Sequence, residues 1–152
     1  MLEVRVQYGL PRAGWPAPAT LHRAARAAWR DAGPAQVVVR VADRQEGLQL
    51  NRDFRGRDRP TNVLSFPAPP EAKVPGMPVV LGDIVLCAPV LAEEAGAQRK
   101  DLRAHFAHMV VHGMLHLQGL DHQTPEEAEA MESIERQILG GLGYPDPYAE
   151  MS

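Results

Sequence analysis

The chain has 152 residues, 45% of them hydrophobic, and a formal net charge of −3 at pH 7. That length suits one domain, 1–152, with a core of its own, the apolar content is ordinary for a globular protein, and no apolar run is long enough to span a bilayer. The small net charge does not by itself advertise nucleic-acid binding, and the single cysteine, Cys87, excludes an internal disulfide and fits a reducing cytoplasm.

The opening MLEVRVQYGL alternates apolar and polar residues, which predicts a strand over residues 4–8 and is unlike a signal peptide. Residues 17–31 predict a helix ended by Gly33-Pro34. Residues 36–42, QVVVRVA, predict a buried strand, and strand, helix, strand together predict a right-handed βαβ crossover. Asp43 is the expected N-cap of a short helix reaching Phe54. Residues 62–66 and 81–87 predict two more strands. Between them PAPPEAKVPGMP holds five prolines in twelve residues, which excludes a regular helix or central strand and predicts a mobile loop within one sheet. Residues 89–97 predict a helix, and residues 101–118 a second, more apolar one. Thr124-Pro125-Glu126-Glu127 is a capping box with proline at the first helical position. It begins a final helix reaching about Leu139, stopped by Gly140, Gly141 and Gly143. No internal repeat is visible.

Charge is unevenly placed. Residues 1–60 hold 11 Lys/Arg against 6 Asp/Glu, and residues 61–152 hold 5 against 13. A basic front half suits an anionic partner while the acidic half limits non-specific sticking; an uneven solvated surface is the plainer reading.

Five of the six histidines fall within residues 105–122. His105, His108, His112 and His116 are spaced 3, 4 and 4, which puts them on one helical face. His112 and His116, one turn apart, can reach a single metal ion. Gly119 suits the left-handed conformation that ends a helix and folds the chain back to bring His122 as a third nitrogen. Zinc held by three histidines keeps a fourth position open for water, as catalytic rather than structural sites do. His105 and His108 read as packed, hydrogen-bonded residues or as contacts near the metal or substrate. Asp121 reads as a turn residue or as a carboxylate that orients a ligand.

The spacing H-x3-H-x5-H, with glycine seven residues after the first histidine, is that of the metzincin zinc peptidases. Their general base is the glutamate beside the first histidine, where this chain has Gly113. Water on zinc has a pKa near 7, so hydroxide is available without a dedicated base. Peptide hydrolysis must also carry a proton to a poor amine leaving group. Phosphodiester cleavage depends more on neutralising charge at the phosphoryl oxygens. Gly113 therefore argues against a peptidase and leaves phosphodiester chemistry open.

The segment NRDFRGRDRPTNVLSF, residues 51–66, carries Arg52, Arg55, Arg57 and Arg59 among Asp53 and Asp58. Guanidinium forks match phosphate oxygens in pairs, while Arg52, Arg57 and Arg59 taken singly read as solvated turn residues in local Arg–Asp pairs. FRGRDRPTNVLSF, then LGDI (residues 81–84), then HMVVHGMLHLQGLDH (residues 108–122) resemble, in this order, the YbeY family of bacterial metal-dependent endoribonucleases, regarded as ribosomal RNA maturation factors. The resemblance covers roughly residues 43–148; the first 40 fit by pattern only.

It implies that His112, His116 and His122 bind one Zn2+, with His112 and Arg55 at the centre of catalysis. It implies an α+β fold, a mixed sheet of about four strands packed with about five helices, with a zincin-like metal site. It implies single-stranded RNA, in particular ribosomal RNA, as substrate. The small ribosomal subunit and its assembly factors would be partners, in rRNA maturation and ribosome quality control, with no membrane. Many members carry Asp where this chain has Asn62, so Asn62 is given no acid–base role. Two rivals stand beside this reading: a non-catalytic ribosome-associated module with a structural zinc, and a metzincin-like peptidase. The second is opposed by Gly113 and by the lack of a recognisable Met-turn. A fourth protein ligand would favour the structural module.

Overall fold

A computed structural model describes residues 1–31 and 33–149. Of the single domain expected over 1–152, residues 32 and 150–152 lie outside the described residues. The elements are β1 (Leu2–Tyr8), α1 (Pro18–Ala28), β2 (Ala35–Ala42), α2 (Arg44–Arg55), β3 (Val63–Pro67), β4 (Val79–Cys87), α3 (Ala88–Gln98), α4 (Leu102–Leu117) and α5 (Pro125–Gly141). The proline-rich connection between β3 and β4 holds one 3-10 turn, Pro70–Ala72. No described helix is long and apolar enough to cross a membrane.

The strands form one mixed sheet in the order β1-β2-β4-β3. β1 and β4 run parallel to β2, and β3 runs antiparallel to β4 at the edge. The fold is thus α+β, a four-stranded mixed sheet with five α-helices, as expected. β2 is central: Val37, Val39 and Val41 are buried in the larger core, while Gln36 on the other face is exposed and Val38 and Arg40 are partly covered.

Strand alternation divides the core in two. Ile84 and Leu86 pack with Leu21, Phe106, Val110, Met114 and Leu139 beneath α1, α4 and α5. Leu64, Val85 and Ala42 face the other way and pack with Leu50 of α2 and with Phe66. Each fully buried Leu, Ile or Phe contributes about 1.5–3 kcal/mol. The first cluster therefore dominates stability, and α2 rests on the lesser one. Cys87, 1% exposed, lies under Gly47 of α2, and burial pushes its thiol pKa up.

Most helix ends follow from local chemistry. Asp43 caps α2 by accepting from Glu46 N at 2.8 Å. Gly56, at φ 66°, ends the helix just after Arg55, one residue beyond the expected Phe54. Thr124 and Glu127 form the expected capping box of α5, which runs on to Gly141 because Gly143, at φ 89°, is the residue that turns the chain. α1 ends three residues early, at Ala28. Gln118, from the end of α4, donates its side-chain amide to Ala28 O at 2.8 Å, and the Trp29 indole donates to Gly33 O at 3.1 Å. The last carbonyl of the helix is therefore satisfied by a distant side chain.

Candidate metal centre

α4 begins at Asp101, whose carboxylate accepts from Ala104 N, and carries His112 and His116 one turn apart. Its end is a Schellman turn. Gly119 N donates to His116 O at 2.9 Å and Leu120 N to Leu115 O at 3.0 Å, with Gly119 at φ 96°. A side chain is strained at that φ, so glycine is what lets the chain reverse and return His122 to the helix. The rings of His112, His116 and His122 stand 4.5, 4.9 and 5.4 Å apart, centroid to centroid. One nitrogen from each lies within 4.8 Å of the others, and no fourth His, Cys, Asp or Glu joins them among the described residues. Asp121 stays local: its Oδ1 accepts from His122 N at 2.8 Å, a turn contact.

A carboxylate that sequence reasoning missed stands behind the triad. Glu135 of α5 is 0% exposed. Its Oε2 lies 2.8 Å from His112 Nδ1, its Oε1 lies 2.7 Å from His108 Nε2, and the Tyr148 hydroxyl donates to it. An ionised carboxylate only accepts, so each histidine must donate. His112 thus carries its proton on Nδ1 and keeps a bare lone pair on Nε2. Burial alone would raise the Glu135 pKa; the hydrogen bonds from His108, His112 and Tyr148 outweigh it and hold the group at about 2. Burial, then Glu135, push the Tyr148 hydroxyl up, so it stays a donor. Burial, then the neighbouring His112 and His122, lower the pKa of His116, which keeps its ring neutral and able to ligate at lower pH.

These residues fit a zinc ion. Tetrahedral bonds of about 2.0–2.1 Å place two ligand nitrogens about 3.3 Å apart. His112 Nε2 and His116 Nε2 are 3.1 Å apart. The signal for Glu135 was present in the sequence. Met131, Glu135 and Leu139 are the buried residues of α5, spaced by fours, so a charge sits in the middle of an apolar stripe.

His105 and His108 are both buried. His105 Nε2 donates to Glu94 Oε1 at 2.9 Å, and burial lowers its pKa. Asn62 donates its amide to both Glu94 oxygens at 3.3 Å and accepts from Val63 N at 2.7 Å. The Nδ1 atoms of His105 and His108 are buried without hydrogen-bond partners among the described residues.

Arg55, at the end of α2, is exposed and donates to Ser65 O of β3 at 3.5 Å. No hydrogen bond joins it to the histidines among the described residues. The local pairing expected of its neighbours is seen for Arg52, whose Nε and Nη2 meet Asp58 Oδ1 at 2.9 and 2.5 Å. Gly113 faces the sheet. A Cβ there would lie 2.9 Å from Ile84 Cγ2 and 3.1 Å from Cδ1. The position that bears the catalytic glutamate in metzincins is here a close helix–sheet contact.

A family model described as Endoribonuclease YbeY matches residues 19–143. The chain is 56% identical to the Endoribonuclease YbeY of Alkalilimnicola ehrlichii, over 97% of this chain and 91% of that one. It is 52% identical to that of Stenotrophomonas maltophilia, over 97% and 94%. Among solved structures it is similar to the solution structure of TM1509 from Thermotoga maritima. That likeness has a TM-score of 0.59 and 25% identity, over 97% of this chain and 99% of the other.

Proposed function

Because the chain belongs to the Endoribonuclease YbeY family, we propose that it is a single-domain, metal-dependent endoribonuclease cutting single-stranded RNA, with one zinc ion held by His112, His116 and His122. The observation that carries the reading is the His112 ring: Nδ1 is committed to Glu135, so Nε2 is left for a metal shared with two neighbouring imidazoles. Three nitrogen donors of intermediate softness suit zinc better than magnesium or calcium, which take oxygen ligands. With no fourth protein donor among the described residues, a position is left for substrate or water. This favours an enzyme over a module with structural zinc.

When bound, the zinc supplies Lewis-acid charge at a phosphoryl oxygen or activates a water. The remaining work falls to the chain. Glu135 holds the proton on His112 Nδ1 and so fixes that ring's orientation. Arg55 binds the scissile phosphate through its fork and meets the charge that develops on the oxygens; its 3.5 Å contact to Ser65 O leaves donors free. The peptidase reading loses its base, since Gly113 is packed against Ile84. Ribosomal RNA of the small subunit is the substrate in this reading, met with assembly factors in the cytoplasm, and the basic first 60 residues suit an anionic partner.

The test is cleavage of ribosomal RNA and of a defined single-stranded RNA, with chelator, with zinc restored, and beside His116→Ala. Near-stoichiometric zinc and chelator-sensitive cutting are expected, both lost in His116→Ala. Chelator-resistant cutting, or full zinc content in His116→Ala, overturns the assignment.

A further inference from the structure

Beside His112 of the triad lies a cavity of about 370 Å³, with His105 and His108 also on its wall. It is bounded by Val63 of the edge strand, by Glu94 and Lys100 on and just after α3, and by Tyr148. That size falls in the range of small-molecule sites and accommodates the base and sugar of one nucleotide. Glu94 is held in place there. It accepts from His105 Nε2 at 2.9 Å and from Asn62 Nδ2 at 3.3 Å on both oxygens, and His105 is itself only 4% exposed. A carboxylate offers about four lone-pair sites, so it keeps acceptor capacity toward the cavity. Lys100 uses one of its three donors on Pro147 O at 2.7 Å and keeps two.

A fixed carboxylate beside a phosphodiester-cleaving centre repels phosphate. The group it faces must be a neutral O–H or N–H donor, while the ammonium of Lys100 suits a phosphate. We propose that this cavity seats the nucleotide next to the scissile bond, with Glu94 accepting a hydrogen bond from that nucleotide's 2′-hydroxyl or base N–H, and Lys100 meeting its phosphate. Zinc and Arg55 meet phosphate, which every nucleotide of RNA or DNA carries. Glu94 meets what differs between nucleotides, and is the specificity-determining residue of the site. The inference rests on the endoribonuclease reading.

The experiment uses the zinc-loaded full chain and a set of single-stranded RNAs, read by fluorescence anisotropy for binding and by single-turnover cleavage. One arm carries a 2′-deoxy sugar at each position in turn. The other carries base analogues that each lack one N–H donor. For wild type, one position on one arm is expected to bind about 10- to 100-fold more weakly, the worth of one hydrogen bond to a charged group; the arm identifies the donor. In Glu94→Ala the same substrate change makes no further difference, because its partner is already gone. Glu94→Gln keeps the side chain's size and is expected to show a reduced penalty. It reads the same coupling if the alanine variant does not fold. Zinc content and circular dichroism are expected to match wild type in both. The proposal is overturned if wild type is indifferent to every substitution, or if the penalty survives in full in the variants. Wild type that cuts RNA but is indifferent removes only the pocket. Zinc-loaded wild type that neither binds nor cuts any single-stranded RNA removes the endoribonuclease reading itself.

Discussion

Glu135 shows what one buried side chain does for the metal centre. It fixes the tautomer of His112, and carboxylates in that position are worth about 10–100-fold in metal affinity. Glu135→Gln is expected to lose zinc that much more readily in competition with a chromophoric chelator. The same residue sets an acid limit in the metal-free protein. Its pKa falls from 4.5 to about 2 on folding, so its stabilisation is complete above pH 4.5 and is lost as pH falls toward 2. The amount is at most about 3 kcal/mol, and urea unfolding from pH 7 to pH 2 should show a flatter acid limb in Glu135→Gln. Arg55→Ala is expected to cut RNA about 10²–10³ times more slowly with zinc content unchanged. Arg55→Lys should recover little, since it keeps charge and loses the fork, and Arg57→Ala should cost far less. The triad was legible in the sequence because its geometry is local: two turns of helix, a glycine and three residues. The contact of Glu135 with His112 was not, because it spans 23 residues; only a charge within the apolar stripe of α5 pointed to that residue. Arg55 was singled out through family likeness alone, and its contact in the structure is a single carbonyl.

At the scale of elements, Gly113 sets how closely α4 approaches β4. Gly113→Ala gains about 1 kcal/mol of helix propensity and meets Ile84, a fully buried neighbour, at an overpacking cost of about 1–3 kcal/mol. A net loss of stability by chemical denaturation is expected. Gly113→Glu places a carboxylate against the core and should lose soluble, folded protein without gaining peptidase activity; robust peptide hydrolysis by the wild type would sink the ribonuclease reading. The strands and helices themselves were legible from period and caps, as at Asp43 and Thr124. The end of α1 was not. Its carbonyl is capped by Gln118, 90 residues away, and no pattern near Ala28 encodes that.

For the whole molecule, the sheet carries the histidines and Arg55 on elements packed against opposite faces. The histidines stand on α4 with α5 behind them, on the face of the larger core. Arg55 ends α2 on the other face, and the edge strand β3 lies between, touching both through its packing on α4 and its Ser65 carbonyl. In the proposed reading, a zinc ion on the triad would tie α4, the turn after it and, through the His112–Glu135 contact, α5. At a hundredfold excess over Kd a ligand adds about 2.7 kcal/mol, and for a chain of this size each kcal/mol moves Tm by about 2–4 °C. Calorimetry with and without chelator is expected to show a drop of about 5–10 °C. The strands of one sheet were legible in the residues and its mixed character was implied by the family resemblance, but which face each helix covers was not, because strand order depends on pairings between distant segments.

Cys87 gives this division a kinetic handle. Its thiol is sealed under α2, with its pKa raised by burial, and it is the chain's only cysteine. A thiol reagent can reach it only while α2 has lifted from the sheet or the whole domain has opened. The rate of labelling in native buffer is therefore a stopwatch on the platform that carries Arg55. It needs no engineered probe, and it runs independently of any signal from the histidine side.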